Sequence, residues 1–240
     1  MLTREVVRLG VVTSTQEVAF ELAGRGAADG TVVVADTQTA GRGRVGRRWE
    51  DEPGESLLIS IVVRPRLSVR ELPKLSPMTA VAVAEAIRAT TGLSARLKWP
   101  NDVLVTGRKL AGILLESRIM FAPIVVVGIG VNLSQRVFPP ALAGVATSVY
   151  FESGRVADRE AILDALLAEF DRWRARLERE GFAPIRARWL ALADTIGRTV
   201  AVGEQAGVAV DLDDGGGLVL SGSDGTRSVL AGEITESPGN

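Results

Sequence analysis

Lys98-Trp99-Pro100-Asn101-Asp102-Val103-Leu104-Val105-Thr106-Gly107-Arg108-Lys109-Leu110-Ala111-Gly112-Ile113-Leu114-Leu115-Glu116 decides how this chain folds. Two short apolar runs, 103–106 and 109–116, flank Gly107-Arg108, which the pattern places at a two-residue hairpin turn. Residues 93–99 read as a third strand before the corner at Pro100. Pro100-Asn101-Asp102 suits a tight turn for purely local reasons. Lys98 and Lys109 do not yield to that explanation. Two ammonium groups beside one carboxylate are costly in a core but suit a site that receives negative charge.

Upstream lies a second dense segment, Gly41-Arg42-Gly43-Arg44-Val45-Gly46-Arg47-Arg48-Trp49. Glycine lets backbone approach an anion closely, and arginine's planar fork grips phosphate or carboxylate with paired hydrogen bonds. No GxxxxGK[ST] phosphate loop is present. A solvated Arg/Gly loop is the plain alternative, but Trp49 at its end points to a ring that packs on something. The loop joins strands expected at 31–36 and Ser56–Val63, a connection too long to be mere linkage in a compact domain.

The rest of the chain fits an α+β arrangement. Val6–Val12 reads as a strand, and Ser14 with Glu17 has capping-box spacing before a helix ending near Gly24. Ser76-Pro77 reads as the cap and first residue of a helix stopped by Gly92. Residues 124–131 form a buried strand broken by Gly128 and Gly130, with Asn132 directly after it. Asp158 to Gly181 is a long amphipathic helix with Ile162, Leu163, Leu166, Leu167, Phe170, Trp173 and Leu177 on one stripe. A shorter helix follows at 184–193. From Asp194 short strands alternate with Gly- and Asp-rich turns, at 199–202, 206–212, 218–221 and 227–231, the pattern of a small SH3-like barrel. The expected division is therefore 1–193, 194–236 and a tail at 237–240.

Composition narrows the chemistry. The 240 residues contain neither cysteine nor histidine, which removes disulfides, thiolate chemistry, the commonest metal ligand and the usual neutral-pH base. No dedicated protein metal site is expected. A net charge of −1 leaves no global basic field for nucleic acid. No apolar run reaches bilayer-spanning length, and a cytoplasmic protein is expected.

Taken together, Ser14-Thr15, Gln38 followed by the Gly/Arg segment to Trp49, Lys98-Trp-Pro-Asn-Asp102, Lys109-Leu-Ala-Gly-Ile113, and Gly128-x-Gly130-x-Asn132 resemble the biotin protein ligase family. The resemblance runs from about Val6 to Ile234. It implies a mixed β-sheet flanked by helices, of the class II aminoacyl-tRNA synthetase/biotinyl transferase type, with a small C-terminal SH3-like β-barrel. By position it implies that Ser14, Thr15, Gln16, Gln38, Arg42, Gly43, Arg44 and Lys109, with Gly112, Gly128 and Gly130, contact biotin. Arg44, Arg47, Trp49, Lys98, Asn101, Asp102 and Asn132 would line the ATP side. Lys109, Arg42, Arg44 and Asp102 would carry the chemistry. Gln16 departs from the asparagine common in the family.

The implied reaction has two halves. The biotin carboxylate attacks the α-phosphorus of ATP, which brings Mg²⁺ with it, giving biotinyl-5′-AMP; a lysine of a biotin carboxyl carrier protein then takes the biotin. The biotin acid is already ionised at neutral pH, so no histidine base is required. Many relatives carry a winged helix-turn-helix before the first strand, and few residues precede Val6 here. The expectation is the short monofunctional class, without DNA or membrane binding, acting as a monomer or homodimer. A lipoate–protein ligase is the nearest alternative, but its Arg-Arg-x-x-Gly-Gly-Gly segment and nearby histidine are missing. A nucleic-acid module sits poorly with six phenylalanines and one tyrosine. A non-catalytic scaffold gives no reason for Lys98, Asp102 and Lys109 to cluster.

Overall fold

A computed structural model describes residues 4–119 and 123–236. The tail expected at 237–240 lies outside the described residues. In chain order the first part contains β1 (Val6–Val12), α1 (Thr15–Gly24), β2 (Val32–Gln38), β3 (Ser56–Val63), α2 (Leu75–Thr91), β4 (Arg96–Lys98), β5 (Asp102–Val105), β6 (Arg108–Ile119), β7 (Pro123–Asn132), α3 (Val149–Ser153), α4 (Arg159–Glu180) and α5 (Ala183–Leu192). β8 (Thr199–Val202), β9 (Gln205–Leu212), β10 (Leu218–Gly222), β11 (Gly225–Val229) and β12 (Ile234–Glu236) follow.

The first seven strands make one mixed sheet, ordered β1-β2-β3-β7-β6-β5-β4. β1 and β2 run parallel because α1 returns the chain between them; the other pairs are antiparallel. The strand period of two sorts side chains onto two faces. Val32, Val34, Leu57, Ile59, Ile61, Val125, Val127 and Ile129 point to one side, where α2, α4 and α5 bury them in the main core. Val33, Val62 and Val126 point to the other, against Ala19, Phe20 and Ala23 of α1. One helix covers only part of that second face. The uncovered part is where the site lies.

Three local readings need correction. Ser76 does not cap α2: a 3-10 turn, Val69–Lys74, runs straight into the helix, so Lys74 is the cap and Pro77 falls inside the first turn. Proline is tolerated there because first-turn N–H groups have no partner within the helix. The hairpin turn is Thr106-Gly107, since Val105 pairs with Arg108, and both turn residues have positive φ, 50° and 78°. That left-handed pair matches the twist of the strands it joins. Glu17 does not complete a capping box; it accepts from Thr13 Oγ1 at 2.7 Å while Ser14 alone caps α1.

The expected C-terminal module is a five-stranded antiparallel sheet, ordered β11-β10-β9-β8-β12. Its inner residues Val200, Val202, Ala209, Leu212, Leu218, Leu220 and Val229 join the same apolar cluster as the main sheet. Trp99 sits at the junction, donating from Nε1 to Gly216 O at 3.2 Å and from its backbone N–H to Thr195 Oγ1 at 3.0 Å. Among the described residues no helix is long and apolar enough to cross a membrane.

Candidate active site

Register builds the floor of a cleft on the half-covered face. Leu58 pairs with Gly130, Gly130 with Gly112, Gly112 with Asp102, and Asp102 with Lys98. One row across four strand pairings therefore runs from an apolar residue through two glycines to a carboxylate and a lysine. A parallel row holds Ser60, Gly128 and Leu114.

Lys109 should not belong to this face, because it lies an odd number of residues from Gly112. A β-bulge puts it there. Val103 pairs with Ala111 and Leu104 with Lys109, so Leu110 is an extra residue on β6. The extra residue goes into the core and turns Lys109 toward the cleft. Its Nζ lies 2.6 Å from Asp102 Oδ1. Lys98 lines the same cleft, and among the described residues its ammonium has no hydrogen-bond or ion-pair partner.

The Gly/Arg segment forms a strap over this floor, pinched by a bridge between Arg42 and Arg48 and containing a 3-10 turn at Arg44–Gly46. Trp49 ends the strap by laying its indole on the glycines. A Cβ on Gly130 would stand 2.6 Å from Trp49 Cε2, and one on Gly112 would stand 3.1 Å from Trp49 Cζ3. The space left by the missing Gly128 side chain is taken by Gln16, whose Oε1 would be 2.9 Å from such a Cβ. These three glycines thus hold this chain's own side chains close to the sheet.

The strap's arginines have separate anchors. Arg42 ion-pairs with Glu116 and approaches Glu17 at 3.8 Å. Arg44 reaches Asn101 Oδ1 at 3.5 Å and Gly232 O at 3.4 Å. Burial pulls the Arg44 guanidinium below its ordinary value, against the opposing pull of Glu233 and Asp102. Arg47 ion-pairs with Glu233 from the C-terminal part, and Arg48 turns away to Thr39 O. The other end of the cleft is polar and buried. Gln38 Oε1 accepts from Thr15 N at 2.8 Å and from Thr15 Oγ1 at 3.0 Å. Asn132 lines the cleft, yet its Nδ2 already donates to Thr147 O at 2.9 Å and so braces the following loop. That loop contributes Val137, Phe138, Pro139, Leu142 and Val145 as an apolar wall.

All the expected site residues line this one cleft of about 600 Å³, within the usual size for a small-molecule site. Sequence reasoning missed Glu116, Ser60, Asp51, Glu233 and the apolar wall. Glu116 carried a signal: it shares strand parity with Gly112 and Leu114, so a carboxylate there had to lie on the same face of the sheet, where it lines a smaller pocket beneath the strap. Asp51 lies in the wall, where burial raises its carboxyl above the ordinary value, an N–H bond from Gln38 opposes, and Glu52 adds to the rise.

Residues 9–132 match the Biotin/lipoate A/B protein ligase family. The biotin--[acetyl-CoA-carboxylase] ligase of Paracoccus denitrificans is 42% identical over 194 residues, covering 78% of this chain and 80% of its own length. The chain belongs to the biotin protein ligase family. A family member from Aquifex aeolicus, solved in complex with biotin and ATP, superposes with a TM-score of 0.86 at 30% identity, over 97% of this chain and 99% of that one. The bifunctional ligase/repressor BirA of Bacillus subtilis is 38% identical over 191 residues, 78% of this chain and 59% of its own. The chain spans about three fifths of the length of this relative and of its Bacillus spizizenii counterpart, at 59% and 62%.

Proposed function

We propose that the chain attaches biotin to a lysine of a biotin carboxyl carrier protein, consuming ATP and passing through biotinyl-5′-AMP. One observation carries this reading: Lys109, paired with Asp102, faces a strap bearing Arg42, Arg44 and Arg47 across a floor whose glycines, Gly112 and Gly130, carry the Trp49 indole. The obstacle in adenylation is the approach of an anionic carboxylate to an anionic phosphate. Cations fixed before the reactants arrive lower that barrier without reorganising.

Biotin occupies the polar end, beside Ser14, Thr15, Gln16 and Gln38. The nucleotide lies toward Lys98, Asn101 and Asn132, with its base against Phe138 and Val145, and Mg²⁺ enters with the phosphates. Lys109 spans carboxylate and α-phosphate, while Arg44, Arg47 and Lys98 compensate the charge of departing pyrophosphate. Asp102 holds Lys109 in place and orients the incoming carrier lysine. Residues 1–193 carry this chemistry, and 194–236, read as an SH3-like module, help receive the carrier. A purified carrier domain incubated with the chain, ATP and biotin gains the mass of one biotin, seen by mass spectrometry; lipoate in place of biotin gives no product. A carrier of unchanged mass after incubation with biotin overturns the proposal.

A further inference from the structure

An unbroken polar chain runs from the strap to the buried start of α1, and Glu116 is its pivot. One carboxylate oxygen of Glu116 takes the Arg42 guanidinium, and the other accepts from Gln16 Nε2 at 3.0 Å. Gln16 Oε1 then lies 2.9 Å from Ser60 Oγ, which also lies 2.8 Å from Thr15 Oγ1. Thr15 hands on to Gln38. Gln16, Ser60 and Thr15 are almost fully buried, so their polar atoms have no water to turn to.

Proton inventory makes the pivot directional. Arg42 offers only donors, and Gln16 must present its NH₂ to the second oxygen. An ionised carboxylate is acceptor-only and satisfies both. Glu116 and the Val126 carbonyl, 3.4 Å from Nε2, together hold the NH₂, which turns Gln16 Oε1 toward Ser60 and sets the hydroxyl pattern at the polar end. The one side-chain acceptor in that hold is also the one that docks the strap.

We infer that Glu116 is a positioning residue coupling strap closure to the orientation of the Gln16 amide, and hence to the recognition of the small-molecule acid at the polar end. The kinetic part of this inference rests on the biotin-ligase reading above; the strap part does not. It also gives the longer Gln16 a reason: its amide reaches Glu116 across the gap that Gly128 leaves open.

Glu116→Gln keeps size and shape but supplies one acceptor for two donors, so one partner must let go. In the ligand-free chain, trypsin should cut the arginine strap several-fold faster than in wild type, as the undocked population grows. With ATP saturating, KM for biotin should rise about tenfold, the scale of one charge-assisted hydrogen bond, while KM for ATP holds within about twofold. Glu116→Asp keeps an acceptor-only carboxylate on the strand and should leave the biotin KM nearer to wild type than Glu116→Gln does. Wild-type cleavage and KM in E116Q overturn the inference. So does a loss in E116Q that falls equally on both substrates, which marks a merely structural role. If wild type itself fails to use biotin, the functional proposal falls, and the trypsin comparison still decides whether Glu116 docks the strap.

Discussion

Gly130→Ala tests whether Trp49 rests on the sheet. The added Cβ would stand 2.6 Å, 2.7 Å and 2.9 Å from Cε2, Cζ2 and Cδ2 of the indole. Carbon atoms settle at roughly 3.5–4.0 Å, so the ring must withdraw by about 1 Å. The opposite side offers no relief, because Gly130 belongs to β7 at the centre of the sheet, paired with both Leu58 and Gly112. Overpacking of this kind costs about 1–3 kcal/mol, and it falls on the docked strap. That lowers the ratio of docked to undocked strap by about 5- to 150-fold. Intrinsic emission reports it: Trp99, Trp173 and Trp189 are buried in the core, so a red shift in G130A arises from Trp49. Adenylate formation, followed as pyrophosphate release, falls in step. In the W49A background the same glycine change adds little, because the clash is gone. An unshifted spectrum with pyrophosphate release within about twofold of wild type would show that the indole does not lie on the glycines.

Three further outcomes are expected. Lys109→Ala and Arg44→Ala each slow pyrophosphate release at least tenfold, roughly 1.4 kcal/mol of transition-state stabilisation, and near-wild-type release from both refutes the charge-compensation account. Phe170→Ala, in the fully buried stripe of α4, destabilises the fold by about 3–5 kcal/mol in a denaturant titration, and a loss below about 1 kcal/mol contradicts the packing described. Burial works to raise the Asp213 carboxyl, but Ser228 and the Gly217, Gly215 and Gly216 N–H groups outweigh it and hold the group below its ordinary value. A depressed carboxylate adds stability above its unfolded value, and that stability disappears as pH falls through the folded one. Asp213→Asn therefore melts below wild type at neutral pH, with the gap closing below about pH 4; a gap independent of pH refutes the assignment.

Long periodic segments are legible in the sequence. The α4 stripe from Ile162 to Leu177 is as expected, because an amphipathic helix of that length declares its own phase, and the two residues read as its ends, Asp158 and Gly181, prove to be its caps. The Ser56–Val63 strand is likewise as expected, buried along its whole length. Short elements are not: α3 and β12 have five and three residues, too few to display a period. The bulge at Leu110 is invisible for a different reason. Nothing in composition distinguishes an apolar residue that skips its pairing from one that makes it, yet that skip decides where Lys109 points. Tertiary packing also overrides a good local signal at Ser76-Pro77, where the preceding 3-10 turn sets the helix start. At the site, the segments are evident in the sequence, while the carboxylates that hold them come only from strand parity and three-dimensional proximity.

The cleft takes its wall both from Ser14, early in the sequence, and from Glu233, Ile234 and Thr235, far downstream of it. Arg47 finds its counter-ion, and Arg44 one of its carbonyl acceptors, only in that late segment. During translation the arginine strap leaves the ribosome long before these anchors do. A nascent polypeptide can therefore form its sheet and helices while the pocket stays unlatched. A product interrupted before Glu233 lacks both the counter-ion of Arg47 and the nearby Gly232 carbonyl that receives Arg44 in the finished fold.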